Sequence, residues 1–343
     1  MSAVLTPPPG TAPAGRFAGL LRAEVHRFLA RRFIRVLMAV ALVGWLVALV
    51  VSLLAFESPT PEALATARAQ QQQQIELSEQ GRQQCLVDPT RPAEVPVDDW
   101  CGPPVTADDV PLSAFLPQPP FSLATDAGGG AVSVAAVAAA FAFLVGGTSV
   151  GAEWSTRSMV ALLFWETRRP RVMAAKLLVT AVAALAFGLL MQALWLGLAT
   201  LLQAVAGDGV ATPAGFWSAL LGAQGRGVLL TAVAGLLGFG LTNLLRNTGA
   251  ALGVGFVYLV VVENAVRVLR PAWQPWLLTN NAAALVLPDG LTLLLPADGA
   301  ADPGVSGGVE YVLSNGQAAL FLAVLTTVVV GVGVVLFSRR DLH

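Results

Sequence analysis

Six apolar blocks alternate with polar connections along the chain, covering about 34–56, 130–150, 177–205, 226–245, 249–268 and 317–337. Each approaches the roughly 20 residues that a helix needs to cross a hydrocarbon layer. They are too long and too continuous to be barrel strands, whose lipid-facing and lumen-facing residues alternate. Only helices and closed barrels satisfy their backbone polar groups in lipid. The pattern therefore predicts an all-α polytopic membrane protein with six transmembrane helices.

The connections differ in character. Residues 1–33 read as a Pro- and Ala-rich tail followed by an amphipathic helix over Arg16–Arg32. There Phe17, Leu20, Leu21, Val25, Phe28 and Leu29 recur at helical spacing, while Arg16, Arg22, Arg27, Arg31 and Arg32 carry the charge. A basic amphipathic helix ahead of a span is suited to the lipid interface. The first apolar block is too long for a signal-peptide core and has no convincing cleavage site after it, so it reads as a retained span. Residues 57–129 are polar and read as a small outer loop domain. Thr60 is placed to cap a helix that starts at Pro61 and runs to about Gln84. Residues 151–176 form a short charged segment, 269–316 a second polar segment, and 338–343 a basic tail.

Composition agrees with the blocks and charge gives them an orientation. The chain is 55% hydrophobic and only 12% charged, against about 25% charged in soluble domains. Net charge is −1, so no global field points to nucleic acid. All but one of the 20 basic residues are arginine, which we read as the mark of a bacterial, GC-rich genome. With both termini in the cytoplasm, the inner connections hold 14 of the 20 basic residues and only four of the 21 acids. Positive residues on the cytoplasmic side are the rule for such proteins, so the expected location is the bacterial plasma membrane, with both termini inside. The only two cysteines, Cys85 and Cys101, then fall in the first outer loop, where an oxidising exterior permits a disulfide between them.

Catalytic constellations are missing from the sequence. It contains no phosphate-binding loop of the G-x-x-x-x-G-K-[ST] type, and its single lysine is Lys176. Its two histidines, His26 and His343, and the two cysteines make no zinc-ligand pattern. We therefore expect no enzyme activity, no metal and no cofactor in this chain. Ionisable residues within spans mark functional positions by default. Arg226 and Glu263 are the candidates here, with Arg267 near an outer end; Arg226 and Glu263 are placed at similar outer depth as a possible pair or outer gate. The pairs Gly147/Gly151 and Gly249/Gly253 form G-x-x-x-G spacings that suit close helix contact.

The segment between the second and third blocks is the most informative. After Gly151 come Glu153, Trp154, Arg157, Met159, Leu162, Leu163 and Phe164, then Arg168, Arg169 and Arg171, then Ala175 and Lys176. Ser155 or Thr156 could cap a short helix with a strong apolar face, and Thr167 and Pro170 could restart a helix leading into the next span. A short helix held between two spans could plug into a groove on a soluble partner and carry that partner's motion to the membrane.

This ordered set resembles the ABC-2 family of ABC-transporter permeases. The matching positions are Gly151 and Glu153 for a G-x-E pattern, Leu162 and Leu163 for a Leu-rich coupling helix, Arg168, Arg169 and Arg171 for a basic turn, and Ala175 with Lys176 at the next span. The basic helix before the first span, the stretch Arg246–Gly253 and the closing run Phe337–Leu342 agree with it. The chain departs from the family pattern at Thr156–Met159, where relatives often carry a Gly-Thr pair. The resemblance implies an exporter subunit that pairs with a second permease copy, as a homodimer, and with two cytosolic ATPase subunits that bind ATP and magnesium. It implies that Glu153, Trp154, Arg157, Met159, Leu162, Leu163, Phe164, Arg168 and Arg169 face the ATPase. It also implies that the helix before the first span touches both membrane lipid and the ATPase. The family mostly exports lipids, drugs, peptides or polysaccharide. The alternatives are a partner-free channel or secondary transporter, and a membrane-anchored sensor acting through its outer loop domain.

Overall fold

A computed structural model describes residues 13–88, 95–155, 164, 168–296 and 308–339. Its helices in chain order are α1 (Pro13–Ala30), α2 (Arg32–Ala55), α3 (Pro61–Leu86), α4 (Val97–Cys101), α5 (Leu123–Ser155), α6 (Arg169–Ala206), α7 (Phe216–Leu245), α8 (Thr248–Val257), α9 (Glu263–Leu269), α10 (Leu278–Val286) and α11 (Asn315–Arg339). A π-helical turn, Tyr258–Val262, joins α8 to α9 without breaking the rod. Among the described residues, six helical segments are long and apolar enough to cross a membrane: α2, α5, α6, α7, the α8–α9 rod and α11. The fold is thus the all-α, multi-pass type that the apolar blocks predict.

Several helices overrun the apolar blocks. α5 starts at Leu123, so the glycines 128–130 lie inside it instead of ending a loop. Gly130 has a steric reason to be glycine, since a Cβ there would stand 1.8 Å from the Trp195 ring of α6. α5 also continues through Glu153 to Ser155, and α6 begins at Arg169. The predicted charged connection of 151–176 is therefore helical at both ends, and the cap expected at Ser155 or Thr156 lies outside what the structure describes. Charged residues mark where hydrocarbon ends, not where a helix must end. α7 begins at Phe216, ten residues before Arg226. Arg226 is consequently about 15 Å along the rod and does not stand at its end.

The chain divides into two compact units. The first comprises Met1–Gly44, Ala127–Leu196 and Ala214–His343. At its centre lies α7, the most enclosed span, with 56% of its apolar window buried. Close packing comes from small residues: a Cβ at Gly146 of α5 would meet the Gly235 carbonyl oxygen of α7 at 2.0 Å. Backbones approach this closely only where glycine stands. On α11, Ala318, Leu322, Thr326, Val330, Gly333 and Phe337 form the buried stripe, and Gly240 of α7 lies against Val329 and Val330. Helix α10 folds back against α7 and α11, burying Ala284, Leu285 and Val286 in a cluster with Leu230, Ala318 and Leu322. The Asn315 amide closes its C-terminal end by donating to the carbonyls of Ala284, Leu285 and Leu287 at 2.8, 3.2 and 2.7 Å.

The described part of the polar segment 269–316 holds a departure from an all-helical chain. Leu291–Leu295 (β1) and Val309–Leu313 (β2) pair antiparallel, with Leu293 opposite Tyr311. Val309, Tyr311 and Val312 favour extended backbone. Gly290, at φ +81°, supplies the left-handed residue before β1 that a side chain would strain.

The second unit comprises Trp45–Asp126 and Gly197–Pro213. Thr60 Oγ1 accepts from the Ala63 N–H at 3.2 Å and Pro61 fills the first turn of α3. The Cys85–Cys101 disulfide ties the end of α3 to α4, with a Cα separation of 5.7 Å. Arg82 supports the same closure through Asp98 at 3.1 Å and the Gly102 carbonyl at 3.0 Å. Phe121 is fully buried, edge-on to Phe56 at 5.2 Å between centroids. Its backbone is stitched to the end of α6 by Phe121 N–H to Ala206 O and Asp208 N–H to Phe121 O.

Candidate functional site

Helix α1 carries a single acid, Glu24, on a face that otherwise presents arginine. That acid is buried, and it does not face water as a solvated polar residue would. Lys176, in the second turn of α6, and Glu153, in the last turn of α5, are buried beside it. Lys176 Nζ stands 2.8 Å from Glu24 Oε2 and 2.6 Å from Glu153 Oε2. Arg31, at the break between α1 and α2, reaches Glu153 Oε1 at 2.5 Å and donates to the Thr148 carbonyl at 3.1 Å. Arg27 closes the other end on Glu24 Oε1 at 2.9 Å. The result is an alternating chain, Arg27–Glu24–Lys176–Glu153–Arg31, in which two carboxylates are shared among three cations. A cavity of about 10 Å³ lined by Glu24, Arg31, Ser149, Lys176 and Thr180 sits in its middle, room for one water.

Burying these charges costs several kcal/mol per ion, so the network is weak as a source of stability and strong as a constraint on geometry. It fixes α1 against the facing ends of α5 and α6, the two helices that lead into and out of the segment 156–168.

Trp154 extends the constraint sideways. Its ring meets Phe337 of α11 edge-on at 5.9 Å, and the Arg246 guanidinium lies over it at 4.7 Å. Arg246 is the only described non-glycine residue with positive φ, at 53°. It ends α7 by donating its N–H to the Thr242 carbonyl, and the Asn247 side chain then caps α8 by accepting from Ala250 N–H. Gly151 of α5 fits under this hinge, where a Cβ would stand 1.7 Å from Thr248 Oγ1.

The predicted coupling residues thus fall into three groups. Glu153 and Trp154 are built into the bundle. Phe164 is exposed, as is Arg168, while Arg169 opens α6. Arg157, Met159, Leu162 and Leu163 lie outside the described residues, as do residues 1–12 and 340–343. Of the basic residues assigned to the interfacial helix, Arg16 falls within α1, Arg22 and Arg32 are exposed, and Arg27 and Arg31 enter the charge network.

Arg226 and Glu263 are not brought together as predicted. Glu263 is fully buried at the start of α9, where Arg267, one turn on, lies 3.5 Å away. Its carboxylate accepts from the Thr279 N–H at 3.1 Å and from the Thr279 hydroxyl, capping the first turn of α10. Arg267 also donates to the Thr279 hydroxyl and to Asn280 Oδ1. The i, i+4 neighbour and the folded-back helix supply the partners of Glu263, and no ion pair joins it to Arg226 among the described residues. Arg226 Nε itself is buried without a hydrogen-bond partner.

Among the described residues no cluster of three or more His, Cys, Asp or Glu is arranged to hold a metal ion. No protein-family model matches the chain, and no curated protein matches it in sequence.

Proposed function

We propose that this chain is the membrane subunit of an ATP-driven exporter in a bacterial plasma membrane, worked by a separate cytosolic ATPase. The observation that carries the reading is the buried chain of charges from Arg27 to Arg31. A transporter driven from outside the membrane needs a rigid link between the part that is pushed and the helices that move. The network makes α1, the end of α5 and the start of α6 one mechanical piece around the segment 156–168. A push on that segment would shift α5 and α6 as levers instead of bending a loop. Such rigid-body shifts are how alternating access is produced.

Two further features support it. The arginine-rich connections cluster on one side when the termini are cytoplasmic, which puts the lever on the side where ATP is available. The spans α2 and α8–α9 are the least enclosed, with only Ile34 and Ala41 of α2 buried, leaving surface for lipid and for a second copy of the chain. In this reading ATP and magnesium belong to the partner, and residues 57–122 with their disulfide lie outside the cell.

The test is purification of the tagged chain from its own host's membranes. A co-purifying protein with a phosphate-binding loop, whose ATP hydrolysis responds to Glu153→Ala, is the expected result. Isolation of the chain alone, with transport that needs no nucleotide, would overturn the reading.

A further inference from the structure

Directly below the charge network a second cavity of about 50 Å³ opens between α2 and the α5–α6 pair. Phe28 and Thr180 line both cavities. The lower one is otherwise apolar, walled by Ile34 and Met38 of α2, by Ala142 and Gly146 of α5, and by α6. Ile34 and Ala41 are the only buried residues of α2. Met38, Ala183 and Phe187 are half-buried and form its rim. The first span therefore stands off the bundle along a greasy cleft that is open to the surrounding lipid.

Two arginines of α2 stand beside the cleft's lining residues in the chain. Arg35 follows Ile34 and precedes Met38 by less than one turn, is exposed, and is held by donating to the Ala30 carbonyl at 3.3 Å. Arg32 is exposed nearby in the chain. The only acid of α1 and α2, Glu24, is buried and already shared by Lys176 and Arg27. No carboxylate on these two helices is left to neutralise the rim.

We propose that the cleft holds the acyl chain of one anionic phospholipid, with Arg35 taking its phosphate. An empty apolar wall forfeits dispersion contacts, and water gains nothing by entering it. A polymethylene chain from the adjacent leaflet fills it without leaving the bilayer. A basic fringe beside a gap between transmembrane helices is the arrangement that selects anionic headgroups. The bound lipid is a wedge between α2 and the bundle, under the lever that α1 completes. The inference needs only that the chain is in a bilayer; it stands or falls independently of the ATPase.

The experiment is electron paramagnetic resonance of spin-labelled phosphatidylglycerol, and separately spin-labelled phosphatidylcholine, on the full chain in phosphatidylcholine nanodiscs. Wild type is expected to immobilise phosphatidylglycerol in preference to phosphatidylcholine. Ala183→Leu, which fills the cleft, is expected to abolish the tightly immobilised component for both lipids. Arg35→Gln is expected to keep the component but lower the preference for phosphatidylglycerol about fivefold, the effect of one interfacial cation. Val51→Leu, on an exposed position of α2, is expected to change nothing. Equal immobilisation of the two lipids by wild type, or a component untouched by both Ala183→Leu and Arg35→Gln, would overturn the proposal.

Discussion

Lys176 and Glu24 are 152 residues apart in the chain and meet at 2.8 Å, with both side chains about 95% buried. A single ammonium thus joins the helix ahead of the first span to the start of the third. Glu153 meets the same ammonium from the end of the second span. The sole lysine of the chain is also, among the described residues, the only cation shared by both carboxylates.

Replacing that lysine tests whether the pairing is a constraint or a decoration. Lys176→Met leaves two carboxylates buried with reduced compensation and is expected to destabilise the protein by about 3–5 kcal/mol. Adding Glu24→Gln is expected to recover much of the loss, since a buried pair removed together costs little. Thermal unfolding in detergent measures both. If the double variant is as unstable as the sum of the singles, the two residues are not coupled.

Glu263 offers a second local test. Its carboxylate caps α10 through Thr279 and pairs with Arg267. Glu263→Ala is expected to cost about 2 kcal/mol, the loss of hydrogen bonds to a charged group. Hydrogen exchange at Thr279–Asn281 is expected to speed up in that variant, while the α7–α11 seam is unaffected. Equal exchange in wild type and variant would show that α10 is held by its apolar face alone.

The pH dependence of the second unit depends partly on Asp208, which lies between α6 and α7 outside the spans. Burial alone would raise its carboxyl, but hydrogen bonds from the Gln203 amide, the Val210 N–H and Ser122 outweigh it and hold the group below the usual carboxylate range. A carboxyl with a depressed folded-state value contributes stability that is present above its unfolded value, about 3.9. That contribution is lost as pH falls through the folded value. Acidification below about pH 4 is expected to loosen the Phe121–Asp208 stitch in wild type, whereas Asp208→Asn lacks this component of the acid response. Since Asp208 is only half-buried, the difference is small and is best read as the slope of melting temperature against pH in the two proteins.

The spans were legible because lipid imposes one rule on every residue of a long block, and six blocks became six helical spans. Their ends were less legible. Glu153 read as part of a charged connection because charge marks the edge of hydrocarbon, yet it lies within α5, whereas the helix expected to restart near Pro170 begins at Arg169 and includes Lys176. The disulfide followed from there being two cysteines in one segment, and it is present. The network was only partly visible. An acid on the basic α1 face and a solitary lysine after a basic turn were the available signals, but their meeting depends on a tertiary contact that no periodicity encodes. Glu263 drew attention as a charge in a span and Arg267 as one near its end, but the pairing of the two did not. Arg226 has the right sign and a plausible depth, whereas Arg267 and Thr279 have the right geometry.

The central claim is that the segment after Glu153 faces the cytosol, where an ATPase can reach it. Phe164→Cys places a thiol on an exposed position there, and the two native cysteines are tied in the disulfide. Labelling with a membrane-impermeant maleimide, in intact cells and in inside-out vesicles, reads its side directly. Reaction in the vesicles and none in the cells is the expected outcome. Reaction in intact cells would put the segment outside and contradict the account.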